Sequence, residues 1–343
     1  YFQKTRICFS RYVEFIERVI LEILILAVVI LPLLTALFLK VANRFLNELL
    51  TNFITINAAL LSVAVSFFMF GYLLLDKFKP IKFELFEWYP SPQIIFEFYL
   101  DGLSGVMMIL ISGLSLVIQL FSTSYMSKDE KYTKYFEYFN FFVFSMLLLV
   151  LSGNFLVMFF GWELVGLSSF LLISFWYEKN SAAKAGNKAF ILNRIGDFGF
   201  LIGLMMILNY FETFNFVDIF DSVLIKQPSN LDLIILFLLL GAFGKSAQFP
   251  LFSWLPDAME GPTPASALIH AATMVTAGVF MLVRVSPMLQ FSELASLTII
   301  GFGLLTALIA AFAAINQDDI KKVLAYSTIC LLYTSDAADD GYR

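Results

Sequence analysis

Nine apolar runs, each close to the ~20 residues that a helix needs to cross a bilayer, limit what this chain can become. They occupy residues 20–39, 53–75, 102–125, 135–152, 155–177, 189–210, 231–249, 264–285 and 294–315. Hydrocarbon offers no partner to a backbone N–H or C=O, so these runs must close their own hydrogen bonds as helices. Composition agrees: 60% of the 343 residues are hydrophobic and 14% are charged, against about 25% charged in a soluble domain. The fold class is an all-α polytopic membrane protein. Its seventh run is discontinuous, cut by Pro250 and resumed as a short piece to residue 259.

The segments between the runs complete the plan. Residues 1–19 mix Lys4, Arg6, Arg11, Glu14, Glu17 and Arg18 with aromatics, too charged to span and too balanced for a signal peptide, and read as an interfacial amphipathic segment. Residues 20–134 hold the first three helices. Within them, 76–98 alternate charge, aromatic and proline as a surface hairpin would. Asp101 reads as the N-cap of the third helix, and Thr263-Pro264 as N-cap and N1 of the eighth. Residues 135–285 carry helices four to eight, with a polar loop around Asp218 and Asp221. Residues 286–332 begin a further set, in which a tenth helix starts at Ile320 and fails, and 333–343 read as a tail foreign to the rest. Lysine and arginine concentrate in the loops after odd-numbered helices, which places those loops on the cytoplasm-equivalent side.

Ionisable residues inside the runs are the functional signal, because each costs at least ~2.5–3.5 kcal/mol at bilayer depth. Glu163 lies mid-run with no counter-ion within a helical turn, so its partner is expected on another helix, and Lys245 is the natural one. Desolvation disfavours a charged lysine and a nearby carboxylate favours it, so moving that carboxylate loads or unloads a proton. Pro250 deprives the Ser246 carbonyl of its helical donor beside Lys245. His270, the only histidine, shares a helical face with Ser266, Thr273 and Ala277, a small hydroxyl-lined stripe able to hold water. Structural alternatives stand beside these readings: Lys245 snorkelling, Glu163 as a buried hydrogen-bonding group, His270 bonded to a carbonyl. Asp197 follows Arg194 at i+3, so a local ion pair explains it as well as a relay does. Asp257 and Glu260 read as solvated loop residues. No basic stripe suits nucleic acid, and Cys8 and Cys330 at opposite ends cannot form a four-cysteine iron–sulfur or zinc site. Neither a metal site nor a cofactor site is expected in this chain.

At these residues the sequence resembles a known family. GKSAQFPLFSWLPDAMEGPTPASALIHAATMVTAGVF is similar to the signature of the subunit 5 family of mitochondrial NADH:ubiquinone oxidoreductase (complex I). LDGLSGVMM, GNFLVMFFGWELVGLSSFLLISFW, KAFILNRIGDFGFLIG and DIKKVLAYST resemble it too, in the same order, so that residues 27–328 are covered. The resemblance implies an antiporter-like fold of two inverted five-helix repeats and a lateral helix, with helices four to eight forming the first repeat and the second missing. It implies proton translocation coupled to electron transfer from NADH to ubiquinone, with Glu163 and Lys245 as the coupled pair and His270 as relay. Asp197 matches the family's R-x-G-D aspartate, and Asp318 and Lys321 its loop before the next helix. It implies a multi-pass protein of the mitochondrial inner membrane. NADH, FMN, iron–sulfur clusters and ubiquinone would then lie in partner subunits, with phospholipid bound along the membrane surface. Partners would be the other membrane-arm subunits, above all the neighbouring antiporter-like subunit 4, and a second chain or continuation carrying the remaining helices. The alternatives are a subunit of a multisubunit cation/proton antiporter and a structural subunit that does not pump.

Overall fold

In the computed structural model the backbone is described for residues 2–90, 93–225, 228–271 and 273–340, and side chains for 16–89, 94–225, 228–270 and 273–331. Helix α1 runs without a break through Phe2–Ala42. The expected boundary between an interfacial segment at 1–19 and a helix at 20–39 is therefore absent from the backbone, and the side chains of 1–15 lie outside the described residues. Pro32 sits within α1 without ending it. α2 (Glu48–Leu75) starts on Asn47, whose side chain accepts from the Leu50 amide. The expected surface hairpin is present as β1 (Ile81–Pro90) and β2 (Gln93–Leu100), antiparallel with Ile81 opposite Leu100. Two irregularities, at Glu84/Phe86 and Glu87/Tyr89, twist the pair.

α3 (Gly102–Tyr125), α4 (Tyr132–Val150), α5 (Phe155–Ile173) and α6 (Asn180–Phe211) follow. The loop expected around Asp218 contains a ten-residue helix, α7 (Phe216–Ile225), which buries Phe216, Ile219 and Val223 on one face. α8 (Leu231–Lys245) stops four residues before the expected end at 249. The short piece after the break is α9 (Trp254–Asp257), extended by a 3₁₀ turn to Glu260. The eighth run does not form one helix: α10 (Thr263–Ala271) and α11 (Met274–Arg284) are separate. α12 (Ser286–Leu289) leads to α13 (Glu293–Ile315), capped by the Ser292 hydroxyl. α14 (Ile320–Asp340) continues where the sequence reading has a failing helix, through the backbone of the foreign-looking tail.

Among the described residues, seven helical stretches are long and apolar enough to cross a membrane: Ile16–Ala42, Glu48–Leu75, Gly102–Tyr125, Phe155–Ile173, Asn180–Phe211, Thr263–Arg284 and Glu293–Ile315. The other two expected spans are α4 and α8. α4 carries Lys134, Glu137 and Asn140, and nearly all of its length is buried by its neighbours. The 15 residues of α8 reach only about 22 Å at 1.5 Å per residue, so the crossing depends on the irregular segment that follows.

Two polar clusters fix one end of the bundle. Glu97 on β2 is 4% exposed, and its carboxylate accepts from Asn215 Nδ2 at 2.7 Å and Asn154 Nδ2 at 3.4 Å. Asn154 also caps α5 through the Val157 amide. The hairpin backbone joins the turn before α5, with Tyr99 N to Leu151 O at 2.8 Å and Gly153 N to Glu97 O at 2.9 Å. Burial raises the Glu97 carboxyl above the usual carboxylate range, against the pull of Lys82 and the two asparagine amides.

The second cluster is an ion pair across 183 residues. Asp101 caps α3, as its sequence position predicts, by accepting from Ser104 N at 2.9 Å. It also accepts two hydrogen bonds from Arg284 at the end of α11, at 2.5 and 3.1 Å, and Arg284 donates to Ser104 Oγ at 2.7 Å. Burial alone raises the Asp101 carboxyl, but the Arg284 guanidinium and the Ser104 amide outweigh it and hold the group below its ordinary value. Asn caps a helix as well as Asp, so Asp101→Asn isolates the ion pair. It is expected to cost about 3 kcal/mol at neutral pH, read by thermal unfolding in detergent, because a buried arginine is left unpaired. A depressed carboxylate contributes stability above its unfolded pKa and loses it as pH falls through the folded one. The gap between the two proteins therefore closes below about pH 4.

Candidate functional site

The site is built where α6 and α8 touch. A Cβ on Gly196 would lie 3.0 Å from Gly244 Cα and 3.1 Å from the Leu240 carbonyl, so only glycine allows the two backbones this close. That approach sets Asp197, the next residue of α6, against Lys245, the last residue of α8. Lys245 Nζ is 3.7 Å from Asp197 Oδ2, with side-chain exposures of 0% and 3%. At that separation the charges attract without a direct hydrogen bond. Asp197 Oδ1 accepts instead from Trp162 Nε1 of α5 at 2.7 Å, and Nζ lies 5.9 Å from the Trp162 ring centroid. α5 gives way to the lysine at Gly166, where a Cβ would meet Nζ at 2.7 Å.

This arrangement corrects two sequence readings. Lys245 is paired with Asp197 rather than with Glu163. Arg194 is paired with Glu163 rather than with Asp197 at i+3. Arg194 points to the outer side of α6, with its guanidinium 4.7 Å from the Phe190 ring centroid. The Glu163–Arg194 pair keeps 22% and 42% side-chain exposure, while the Asp197–Lys245 pair is enclosed. Glu163 and Arg194 thus meet on the outside, Asp197 and Lys245 on the inside, with Arg194 and Asp197 one turn apart on α6. Sequence separation cannot reveal which face of α6 each residue takes; the glycines Gly196 and Gly199, which turn one face toward α8, were the available signal.

The break after Lys245 is where Pro250 predicts it, but it begins at Ser246. Ala247 takes a left-handed conformation, φ 51°, and the Phe249–Pro250 peptide is cis. Ser246, Ala247 and Gln248 are fully buried, as backbone freed from a helix must be in a membrane, while Pro250 itself is exposed. Side chains supply the donors that the helix no longer does. Gln248 Nε2 donates to Ser246 O at 3.0 Å, Trp254 Nε1 to Gly244 O at 3.0 Å, and Ser246 Oγ to Val275 O at 2.8 Å. Thr306 of α13 accepts from Phe249 N at 3.0 Å.

His270 lies in the last turn of α10, 6% exposed, with its ring 6.5 Å from that of Trp254. Neither ring nitrogen has a hydrogen-bond partner among the described residues. Ser266 and Thr273 are buried near it in sequence but spend their hydroxyls on their own chain: Ser266 Oγ on Pro262 O at 3.2 Å, Thr273 Oγ1 on Leu268 O at 2.5 Å. The expected stripe is therefore interrupted between His270 and Thr273, where the helix breaks. Asp318 is exposed in the turn before α14; its neighbour Asp319, not Asp318, accepts from the Lys321 amide at 2.9 Å. Lys321 is half-buried, and among the described residues no ion pair joins either residue to the charges of α6 and α8. Asp257 is paired with Lys188 at 2.7 Å rather than free, while Glu260 is exposed.

Two families match. Residues 152–332 match one described as NADH:quinone oxidoreductase/Mrp antiporter, TM, and residues 88–136 match one described as NADH-ubiquinone oxidoreductase (complex I), chain 5 N-terminus. The chain is 42% identical over 303 residues to NADH-ubiquinone oxidoreductase chain 5 of Metridium senile, covering 88% of this chain and 50% of that protein. It is 41% identical over 313 residues to NADH-quinone oxidoreductase subunit L of Rickettsia bellii (strain RML369-C), covering 88% and 49%. A solved Mrp complex from Dietzia sp. DQ12-45-1b contains a chain that superposes with a TM-score of 0.78 at 28% identity, over 92% of this chain and 34% of that one. The chain thus spans about half the length of the curated relatives it matches.

The pairing seen here makes a quantitative expectation. In a double-mutant cycle on thermal stability, Asp197→Asn with Lys245→Met should show a coupling of about 1 kcal/mol or more. Glu163→Gln with Lys245→Met should show less, because Glu163 is already paired with Arg194. Equal couplings would return Glu163 to the side of Lys245.

Proposed function

This chain belongs to the NADH:quinone oxidoreductase/Mrp antiporter transmembrane family, and from that premise we propose that it moves protons through the membrane arm of a respiratory complex I. The observation that carries the reading is the enclosed Asp197–Lys245 pair at the broken end of α8, beside a buried histidine with two unpartnered nitrogens. A structural ion pair needs no such neighbour.

The geometry suggests how charge moves. Arg194 is held outward by Glu163 while Asp197 holds Lys245 inward. A proton arriving on Glu163 frees Arg194, which is one turn from Asp197 on the same helix and in reach of it. Asp197 then has two cations competing for one carboxylate, and its hold on Lys245 weakens. Lys245, desolvated and less well paired, gives up a proton in the direction of His270. The sequence resets when Glu163 deprotonates and takes Arg194 back. Electron transfer from NADH to ubiquinone supplies the driving force, on NADH, FMN, iron–sulfur and quinone sites that we assign to partner subunits.

Two features support the partners and the location. Glu163 and Arg194 keep exposure in the middle of their helices, where lipid solvates charge poorly, so a neighbouring antiporter-like subunit is proposed to cover them. α13 presents Leu294, Leu297, Leu304, Leu308 and Phe312 outward, a face suited to further helices or to phospholipid. The mitochondrial inner membrane is the proposed location, while the likeness to chain 5 of Metridium senile and to subunit L of Rickettsia bellii supports a multi-pass membrane protein.

In the intact complex in sealed vesicles, Lys245→Met should abolish NADH-driven acidification, read with a pH-sensitive dye, while the complex still assembles. Unchanged pumping would leave Lys245 a structural role. Proton transport driven by a sodium gradient and indifferent to NADH would favour the cation/proton antiporter reading that the Mrp likeness offers.

A further inference from the structure

The break after α8 leaves an acceptor that no described residue uses. Gln248 is fully enclosed, and its amide is divided between two tasks. Its Nε2 closes the Ser246 carbonyl at 3.0 Å, while Oε1 has no partner among the described residues. The side chain is also held in place from its backbone: Gln248 N donates to Phe243 O at 2.9 Å, and the left-handed turn at Ala247 folds the chain back toward the end of α8. An enclosed amide oxygen left bare keeps its full desolvation penalty, so the site is expected to hold a water that donates to it.

Among the described residues, the other bare polar groups around this break include a donor and a base, with Asp197 Oδ2 facing the donor at 3.7 Å. Lys245 Nζ, three residues before Gln248, has no hydrogen-bond partner among the described residues, and neither ring nitrogen of His270 has one. Trp254 ties the two sides together, bonding the Gly244 carbonyl next to Lys245 and lying ring to ring with His270.

We propose that Gln248 is a positioning residue for the Lys245-to-His270 transfer, its Oε1 orienting the water through which the proton passes. This rests on the proton-carrying reading given above. An amide oxygen only accepts, so it fixes one O–H of the water. The water's lone pair is then turned to the Lys245 ammonium and its second O–H to the imidazole. In the step, an N–H bond of Lys245 breaks as an O–H bond forms on the water, and the water's second O–H breaks as an N–H forms on His270. One proton moves and no electrons are exchanged. Gln248 neither gains nor loses a proton.

The test uses the intact complex in sealed vesicles. Gln248→Met keeps the length of the side chain and removes both the donor and the acceptor. It is expected to slow NADH-driven proton translocation by about tenfold or more, since a misplaced relay group costs this much. The slowing in deuterium oxide should exceed that of the wild type, because proton transfer becomes rate-limiting. Wild-type rate and isotope effect in this variant overturn the proposal. A role confined to closing the Ser246 carbonyl is separated by two further variants. Gln248→Glu keeps the accepting oxygen, and Gln248→Lys keeps a donor for Ser246 O but has no acceptor. Pumping in the Glu variant should exceed that in the Lys variant; the reverse order overturns the proposal even if the Met variant does not assemble. Lys245→Met runs alongside. If it pumps normally, the proton-carrying reading itself fails; if it is dead while Gln248→Met is normal, only the role of Gln248 falls.

Discussion

The structure depends on an enclosed Asp197–Lys245 pair, 3.7 Å apart and shut off from solvent. Removing two charges from water costs several kcal/mol per ion, and Coulomb attraction at this distance only partly offsets it. Such a pair persists only where the surrounding helices fix both groups, and much of the local sequence does this. Gly196 and Gly244 let α6 and α8 approach, Gly166 makes room for Nζ, and Trp162 donates to the oxygen that the lysine does not face. Each of these residues is small, or brings one donor to one acceptor. Enlarging any of the glycines would push apart the elements that hold the charges.

Around that pair the backbone is irregular in two places, after Lys245 and at Thr273. In a membrane an unclosed carbonyl has no water to turn to, so side chains must serve. Gln248, Trp254, Ser246 and Thr273 each donate to a carbonyl at or beside a break. The polar residues of this region thus serve first as structure. Among the described residues, what is left bare here includes the Lys245 ammonium, the Asp197 oxygen that faces it, the Gln248 amide oxygen and the His270 ring, and these are what chemistry can use. The frame outside is held differently: Asp101–Arg284 and the Glu97 cluster bind the hairpin, α3, α5 and α11 at one end of the bundle.

The sequence by itself determined the membrane class, the hairpin, the Asp101 cap, the break at Pro250 and Lys245, Glu163 and His270 as ionisable residues inside the helical runs, while it left Asp197 open between a local ion pair and a relay. Each follows from local rules: run length against bilayer thickness, a side-chain oxygen before a helix, a ring without an N–H, a charge inside hydrocarbon. Which charge meets which was decided only by tertiary structure. Arg194 and Asp197 are neighbours at i+3, yet they turn to different helices, because α6 is gripped by α8 on its glycine face and by α5 beside it. The second break, within the eighth run, carries no proline and was invisible for that reason. The Asp101–Arg284 pair spans 183 residues, and Gln248 was one polar residue in a turn; both gained their meaning from neighbours that no local spacing predicts. Local chemistry names the groups that cannot stay alone in a membrane, and helix packing chooses their partners.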